Sequence, residues 1–395
     1  ESPTFHSETM AVYPGDKNNL PYDVVVERLH IEEPEPPAPV TEPEKIFEEV
    51  LDEHPVSIQV NGQWQTFPNA KAAEEASYEE YKANLRRNAK NFRITDEHLG
   101  EGGPKAKFQA NVNAIRLLKE LEAAGQQASP EQQEVLSRYV GWGGLSDAFD
   151  PEKPVWALEY AQLKELLTPE EYAAARSSTL NAHYTSPTVI QAIYEAVDRM
   201  GFETGNILEP SMGVGNFFGM LPEKMRNSRL YGVELDPVSG RIAKQLYPKA
   251  DITVGGFETT DRRDFFDLAI GNVPFGQYQV RDKAYDKLNF SIHNYFFAKA
   301  LDQVRPGGVV AFVTSRYTMD AKDSTVRRYL AQRAELLGAI RLPNDAFKKN
   351  AGAEVVSDII FLQKRDRPLD IVPEWTQTGQ TEDGFAINRY FIDHP

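Results

Sequence analysis

The chain has 395 residues, 41% of them hydrophobic, with 26 Gly and 26 Pro, enough for one large domain with a smaller neighbour and for a substantial core. No run of 18 apolar residues occurs, so fibrous, collagenous and membrane-spanning classes are excluded and no membrane partner is expected. The absence of Cys excludes a disulfide framework, a thiolate zinc site and a cysteine nucleophile, and suits a reducing, cytoplasmic setting.

The formal net charge of −16 is unevenly placed. Residues 1–60 carry 3 Lys/Arg against 14 Asp/Glu, and residues 61–180 carry 14 against 18, whereas residues 181–366 carry 24 against 22. The acid lies mostly in the flanks, so the central block remains open to a polyanionic partner.

In chain order, Glu1 opens without the charged and apolar regions of a signal peptide, and the chain stops abruptly at His394-Pro395, so it reads as a fragment of something longer. Residues 1–60 read as an acidic, Pro-rich segment and linker, the stretch 31–44 being too polar to offset its ordering entropy. Residues 61–180 read as a helical satellite domain. They hold an amphipathic run over 107–122 and two helix starts, Ser129-Pro130-Glu131-Gln132 and Thr168-Pro169-Glu170-Glu171, each with a hydroxyl N-cap, Pro at the first position and an acid or amide at the third. Between them the turn Gly141-Trp142-Gly143-Gly144 carries an aromatic that favours packing over ligand contact.

From residue 187 the pattern changes to short apolar runs alternating with helical ones, which predicts an α/β fold with a mostly parallel sheet. Strands are expected at 206–209, 230–235, 251–254, 266–271, 308–314, 336–341 and 356–362, and helices near 216–221, 237–246, 292–304 and 324–334. The last two strands have only a loop between them and should pair antiparallel at an edge. Residues 367–395 form a C-terminal extension.

The first of these strands ends in Glu209-Pro210-Ser211-Met212-Gly213-Val214-Gly215-Asn216, a Gly-containing turn into a helix where backbone can approach a ligand closely. The second ends in Glu234-Leu235, placing an acid about 20 residues on, the offset expected for accepting from ribose hydroxyls. Phe218 occupies the third Gly place of the dinucleotide fingerprint, which disfavours a nicotinamide enzyme. The fourth ends in Gly271-Asn272-Val273-Pro274-Phe275-Gly276, at the sheet edge where open α/β folds hold ligands.

On these residues the chain resembles the class I S-adenosylmethionine-dependent methyltransferases, in particular the amino-methylating ones with an (Asn/Asp/Ser)-Pro-Pro-aromatic signature. The likeness covers about residues 181–366 and implies a Rossmann-like, seven-stranded mixed sheet in three layers. It implies that Tyr184 and Thr185 lie near the methionine part of the cofactor, that Glu209, Pro210, Gly213 and Gly215 form its loop, that Glu234 with Leu235 holds the ribose, and that Gly256 and Phe257 meet the adenine ring. The motif order, with Leu342-Pro343 through Phe347, is similar to N6-adenine enzymes and type I modification subunits. Asn91-Phe92-Arg93-Ile94-Thr95, Gly102-Gly103-Pro104-Lys105, Tyr139-Val140-Gly141-Trp142-Gly143-Gly144 and Ser178-Thr179-Leu180-Asn181-Ala182-His183-Tyr184 look like the large methylase-helicase proteins of conjugative elements and phages. That resemblance implies DNA as partner and a helicase region elsewhere in the same polypeptide, although no G-x-x-x-x-G-K-[ST] loop occurs in this chain.

An exocyclic base amine is a poor nucleophile because its lone pair is delocalised into the ring. Acceptors on its two hydrogens favour a tetrahedral nitrogen aimed at the methyl group. Asn272 and the Val273 carbonyl would serve, Pro274 completes the same catalytic motif, and Phe275, with Phe347 opposite, would stack on a base taken out of the helix. Val273 departs from the usual Pro, which leaves a catalytically silent DNA-binding or scaffolding module as the alternative. The seven His show no metal-ligand spacing, so no metal is expected.

Overall fold

The structure is a computed structural model that describes residues 54–60, 62–77, 89–96, 98–179, 185–344 and 356–395. The acidic stretch before residue 54 and the site candidates Tyr184 and Phe347 lie outside the described residues. The chain divides into two compact units, Glu1–Tyr81 and Lys82–Pro395. In the first, β1 (Val56–Val60) and β2 (Gln63–Phe67) form an antiparallel hairpin with Val56 opposite Phe67.

Among the described residues of the second unit, the first α-helices are α1 (Pro104–Ala123), α2 (Pro130–Ser137), α3 (Ala157–Leu166) and α4 (Pro169–Ser178). Both expected caps form: Ser129 and Thr168 accept from the third backbone N–H of their helices, while Gln132 and Glu171 reach back to the cap. There follow α5 (Pro187–Arg199), β3 (Asn206–Glu209), α6 (Asn216–Gly219), β4 (Arg229–Glu234), α7 (Pro237–Leu246), β5 (Asp251–Val254), β6 (Phe266–Asn272), α8 (Ile292–Gln303), β7 (Val304–Ser315), α9 (Tyr317–Asp320), α10 (Thr325–Arg333), β8 (Ala334–Arg341) and β9 (Ser357–Lys364).

The strands β3 to β9 make one sheet in the order β5-β4-β3-β6-β7-β9-β8. β5 through β7 run parallel, and β9 pairs antiparallel with both β7 and β8. The expected antiparallel pair is present, with β8 alone at the edge and β9 inserted beside β7. β7 starts earlier than its sequence suggested, because Val304 pairs with Phe266 before an irregularity carries the ladder past Pro306 and Gly307.

The period of two along each strand divides the core between two faces. Leu268, Ile270, Ala311, Val313, Ile359 and Phe361 pack with α1, α2, α5 and α7, whereas Ala269, Val310, Phe312, Ile360 and Leu362 pack with α8 and α10. The result is a three-layer α/β unit, with helices of the N-terminal segment in the same core as the sheet.

The end of the chain adds β10 (Thr378–Gln380), β11 (Ala386–Asn388) and α11 (Arg389–Asp393). Buried Asn388 donates to the Met319 and Trp375 carbonyls, and buried Arg327 to the Thr376 carbonyl. Arg327 thus anchors the extension. Among the described residues no helix is long and apolar enough to cross a membrane.

Candidate active site

Crossovers from β3 and β4 to the next helix bring both strand ends to the carboxyl edge of the sheet, where no side chain of a following strand fills the space. The turn after β3 is held from two sides. Met212 donates its N–H to the Val233 carbonyl at 3.0 Å, and Gly213 donates to a Glu234 carboxylate oxygen at 2.7 Å. The other Glu234 oxygen accepts from the Asp236 N–H at 2.7 Å, so one side chain ties the glycine turn to the start of α7. Gly215 precedes α6 at φ 84°, and a Cβ there would meet the Tyr247 ring at 2.5 Å; both facts require glycine.

These turns border a cleft of about 640 Å³. Thr185, Glu209, Pro210, Gly213, Glu234, Leu235, Gly256, Phe257, Asn272, Val273 and Pro274 all line it, so the structure brings most of the sequence candidates together. Gly215 stands behind its wall in contact with Tyr247.

The cleft floor is acidic. Glu209 is 2% exposed, and burial, then the neighbouring Glu234, push its carboxyl well above the carboxylate range. Burial, then Asp236, push Glu234 up to about 7 against the pull of the backbone N–H groups. Asp236 is raised mainly by burial while its side chain caps α7 through Ser239. One oxygen of Glu209 and one of Asp236 are buried with no hydrogen-bond partner. Orphaned acceptors of this kind are costly unless a ligand supplies donors, and a cation bearing hydroxyl or amine groups supplies both charge and donors.

On the β6 side, Gly271 takes φ 149°, and a Cβ there would lie 3.3 Å from the Glu209 side chain, so glycine permits the approach of the two strand ends. Asn272 follows and donates its Nδ2 to the Thr185 hydroxyl at 3.1 Å, which makes the carbonyl the opposite end of a fixed amide. Val273 is 2% exposed and donates its N–H to the Val313 carbonyl at 3.1 Å, extending the ladder one residue beyond the strand. Proline has no N–H to donate, so the substitution that set this sequence apart gains a backbone bond. Phe275 is half-buried against the core and is not among the residues lining the cleft. Tyr278 does line it, with its ring over Gly276, where a Cβ would lie 2.5 Å away.

Two parts of the wall escaped sequence reasoning. Val280, Ile292 and Phe296 face the cleft beside Phe257, whose ring lies 5.0 Å from that of Phe296. Val280 lies in the loop after β6, and the helix bearing Ile292 and Phe296 is buried on nearly every side, so periodicity singles out no cleft face. Across the cleft, the helical segment supplies Tyr139, Val140 and Gly141 from one turn and Ser177 and Ser178 from the end of α4. The glycine-rich turn was the available signal. Trp142 packs in the core edge-on to Phe108, Tyr139 and Phe149, while Gly141 faces the cleft. Among the described residues no cluster of His or carboxylates suits a metal ion.

The strand order with one antiparallel insertion, the glycine turn after β3, the acid ending β4 and the cleft along the parallel edge together define the class I S-adenosylmethionine-dependent methyltransferase fold. The chain is homologous to the "Defense against restriction protein B" of Escherichia phage P1, at 28% identity over 272 residues, which cover 67% of this chain and 10% of the phage protein. It is also 45% identical over 74 residues to the type II methyltransferase M.CvrRI of Paramecium bursaria Chlorella virus XZ-6E, covering 19% of each chain. Among solved structures, a candidate class I S-adenosylmethionine-dependent methyltransferase from Listeria monocytogenes superposes with a TM-score of 0.43 at 18% identity, over 68% of this chain and 90% of that one. No protein-family model matches the sequence.

Proposed function

We propose that the chain is the methyl-transferring part of a larger DNA-modification polypeptide and acts on the exocyclic N6 amine of an adenine taken out of the duplex. The names of the two relatives, one a defence against restriction and the other a type II methyltransferase, support a DNA substrate. The small share of the phage protein that this chain matches supports its place in a longer polypeptide, and a helicase region there is the companion that the resemblance to methylase-helicase proteins implies.

S-adenosylmethionine, when bound, supplies an electrophilic methyl group on a cationic sulfur. Glu234 accepts from ribose hydroxyls with the lone pairs that Gly213 and Asp236 leave open, and the unpartnered oxygens of Glu209 and Asp236 offer acceptors to the ligand's amine or hydroxyl groups. Phe257 and Leu235 offer apolar surface to the adenine ring, and Leu235 is 73% exposed until something covers it. Asn272 and the Val273 carbonyl hold the target amine, and Tyr278, which lines the cleft where Phe275 does not, is the candidate stacking ring.

The observation that carries this reading is the fixed Asn272 amide, bonded to Thr185 in the same cleft as the orphaned acceptors of Glu209 and Asp236. Asn272→Ala should leave S-adenosylmethionine affinity within a factor of two or so and lower adenine methylation of phage or plasmid DNA by on the order of a hundredfold. Full methylation by that variant would remove the assignment.

A further inference from the structure

The cleft wall formed by Tyr139, Val140 and Gly141 is held by one buried amide. Asn111 lies midway along α1 with no exposed surface. Its Oδ1 accepts from the Val140 N–H at 2.9 Å, and its Nδ2 donates to the Gly141 carbonyl at 2.6 Å. The surrounding helix face is apolar: Phe108, Val112, Ile115 and Leu118 are all buried. An amide in such a place is tolerated only because both ends are bonded. For folding alone a leucine of similar size would serve there.

The two bonds engage successive residues of a turn that faces the cleft, and Gly141 takes φ 73° between them and the buried Trp142. The turn is therefore fixed both along α1 and about its own axis. Asn111 does not itself line the cleft, so any effect on a ligand passes through Val140 and Gly141.

We propose that Asn111 is a positioning residue for the cofactor pocket, holding the Val140–Gly141 wall in the shape that closes on the bound nucleoside. This rests on the reading of the cleft as an S-adenosylmethionine site. It makes the helical segment part of the binding site.

The test uses the full chain and calorimetric titration with S-adenosylmethionine. Asn111→Leu should bind about tenfold more weakly, because the wall must be ordered at the ligand's expense. The comparison is Gln133→Leu, which removes another buried amide of the same segment, bonded to the Lys90, Gln245 and Leu246 carbonyls and not to the Val140–Gly141 turn or any other residue lining the cleft. It should lower thermal stability and leave affinity unchanged. Equal affinity of Asn111→Leu and the unmodified chain, or equal weakening by both substitutions, overturns the proposal. In the unmodified chain, saturating ligand should also slow hydrogen exchange at the Val140 and Gly141 amides; unchanged exchange there overturns it even if Asn111→Leu does not fold. A folded, unmodified chain that binds no S-adenosylmethionine would instead remove the underlying cofactor reading.

Discussion

Glu234 carries two backbone N–H groups on one carboxylate while lying partly buried on the cleft wall beside two other acids, and these demands pull its proton in opposite directions. Burial and Asp236 prevail, raising it from 4.5 to about 7. The folded chain therefore keeps a proton over a range where the unfolded chain has released it. Stability from this group is complete below pH 4.5 and lost as pH rises to about 7, a difference of roughly 3 kcal/mol from the linkage relation. Glu234→Gln mimics the protonated acid, so urea melts should show it gaining on the unmodified chain by about that amount between pH 5 and 8. A constant difference across the range would mean that Glu234 ionises normally. Ligand affinity should run the other way, because ribose hydroxyls donate to the ionised form: titrations should weaken by roughly tenfold from pH 7 to 5.5, and Glu234→Gln should bind weakly with no such slope.

The segment after β6 is irregular in sequence, yet a buried ion pair gives it a fixed place. Lys299 of α8, 4% exposed, meets Asp282 at 2.8 Å and donates to the Glu258 carbonyl at 3.1 Å. Burial works against the Asp282 carboxylate, but hydrogen bonds from Lys299 and Tyr295 outweigh it and hold the group below its ordinary range. One lysine thus ties the loop bearing Tyr278 and Val280 to the loop bearing Phe257. Lys299→Met should cost about 3–5 kcal/mol by leaving a buried carboxylate unpaired, and Lys299→Met with Asp282→Leu should recover part of it. Strictly additive losses in that double-mutant cycle would show that the pair is uncoupled. Such a tie is illegible beforehand, since a Lys and an Asp far apart in sequence carry no mark of each other. The strands at 206–209 and 251–254 and the helix at 237–246 were legible to the residue, because Pro, Asp and Gly punctuate them and their apolar period is clean.

At the scale of the molecule, what the sequence concealed was partnership. Amphipathicity showed that α1 has an apolar face without showing what that face meets, and a change of pattern near residue 180 suggested a boundary. In the structure one core cluster runs from Phe92 through Leu118, Leu136 and Ile242 to Phe361. Polar ties cross the same interface: Phe92 donates to the Leu246 carbonyl and Ile94 to the Gly219 carbonyl, at 2.8 and 2.9 Å, and Glu171 of α4 binds both Lys119 of α1 and Arg241 of α7. Helices sharing a core with the sheet should unfold with it. A fragment of residues 82–395 should therefore melt in one cooperative transition, coincident by far-UV circular dichroism and tryptophan fluorescence, and should bind S-adenosylmethionine. A fragment beginning at residue 181 keeps every cofactor motif read from the sequence, but it exposes the apolar face that α1 and α2 cover and lacks the Val140–Gly141 wall. It should aggregate or bind a hydrophobic dye and show no measurable affinity. If that shorter fragment folded and bound as tightly as the longer one, the helical segment would be an independent satellite after all.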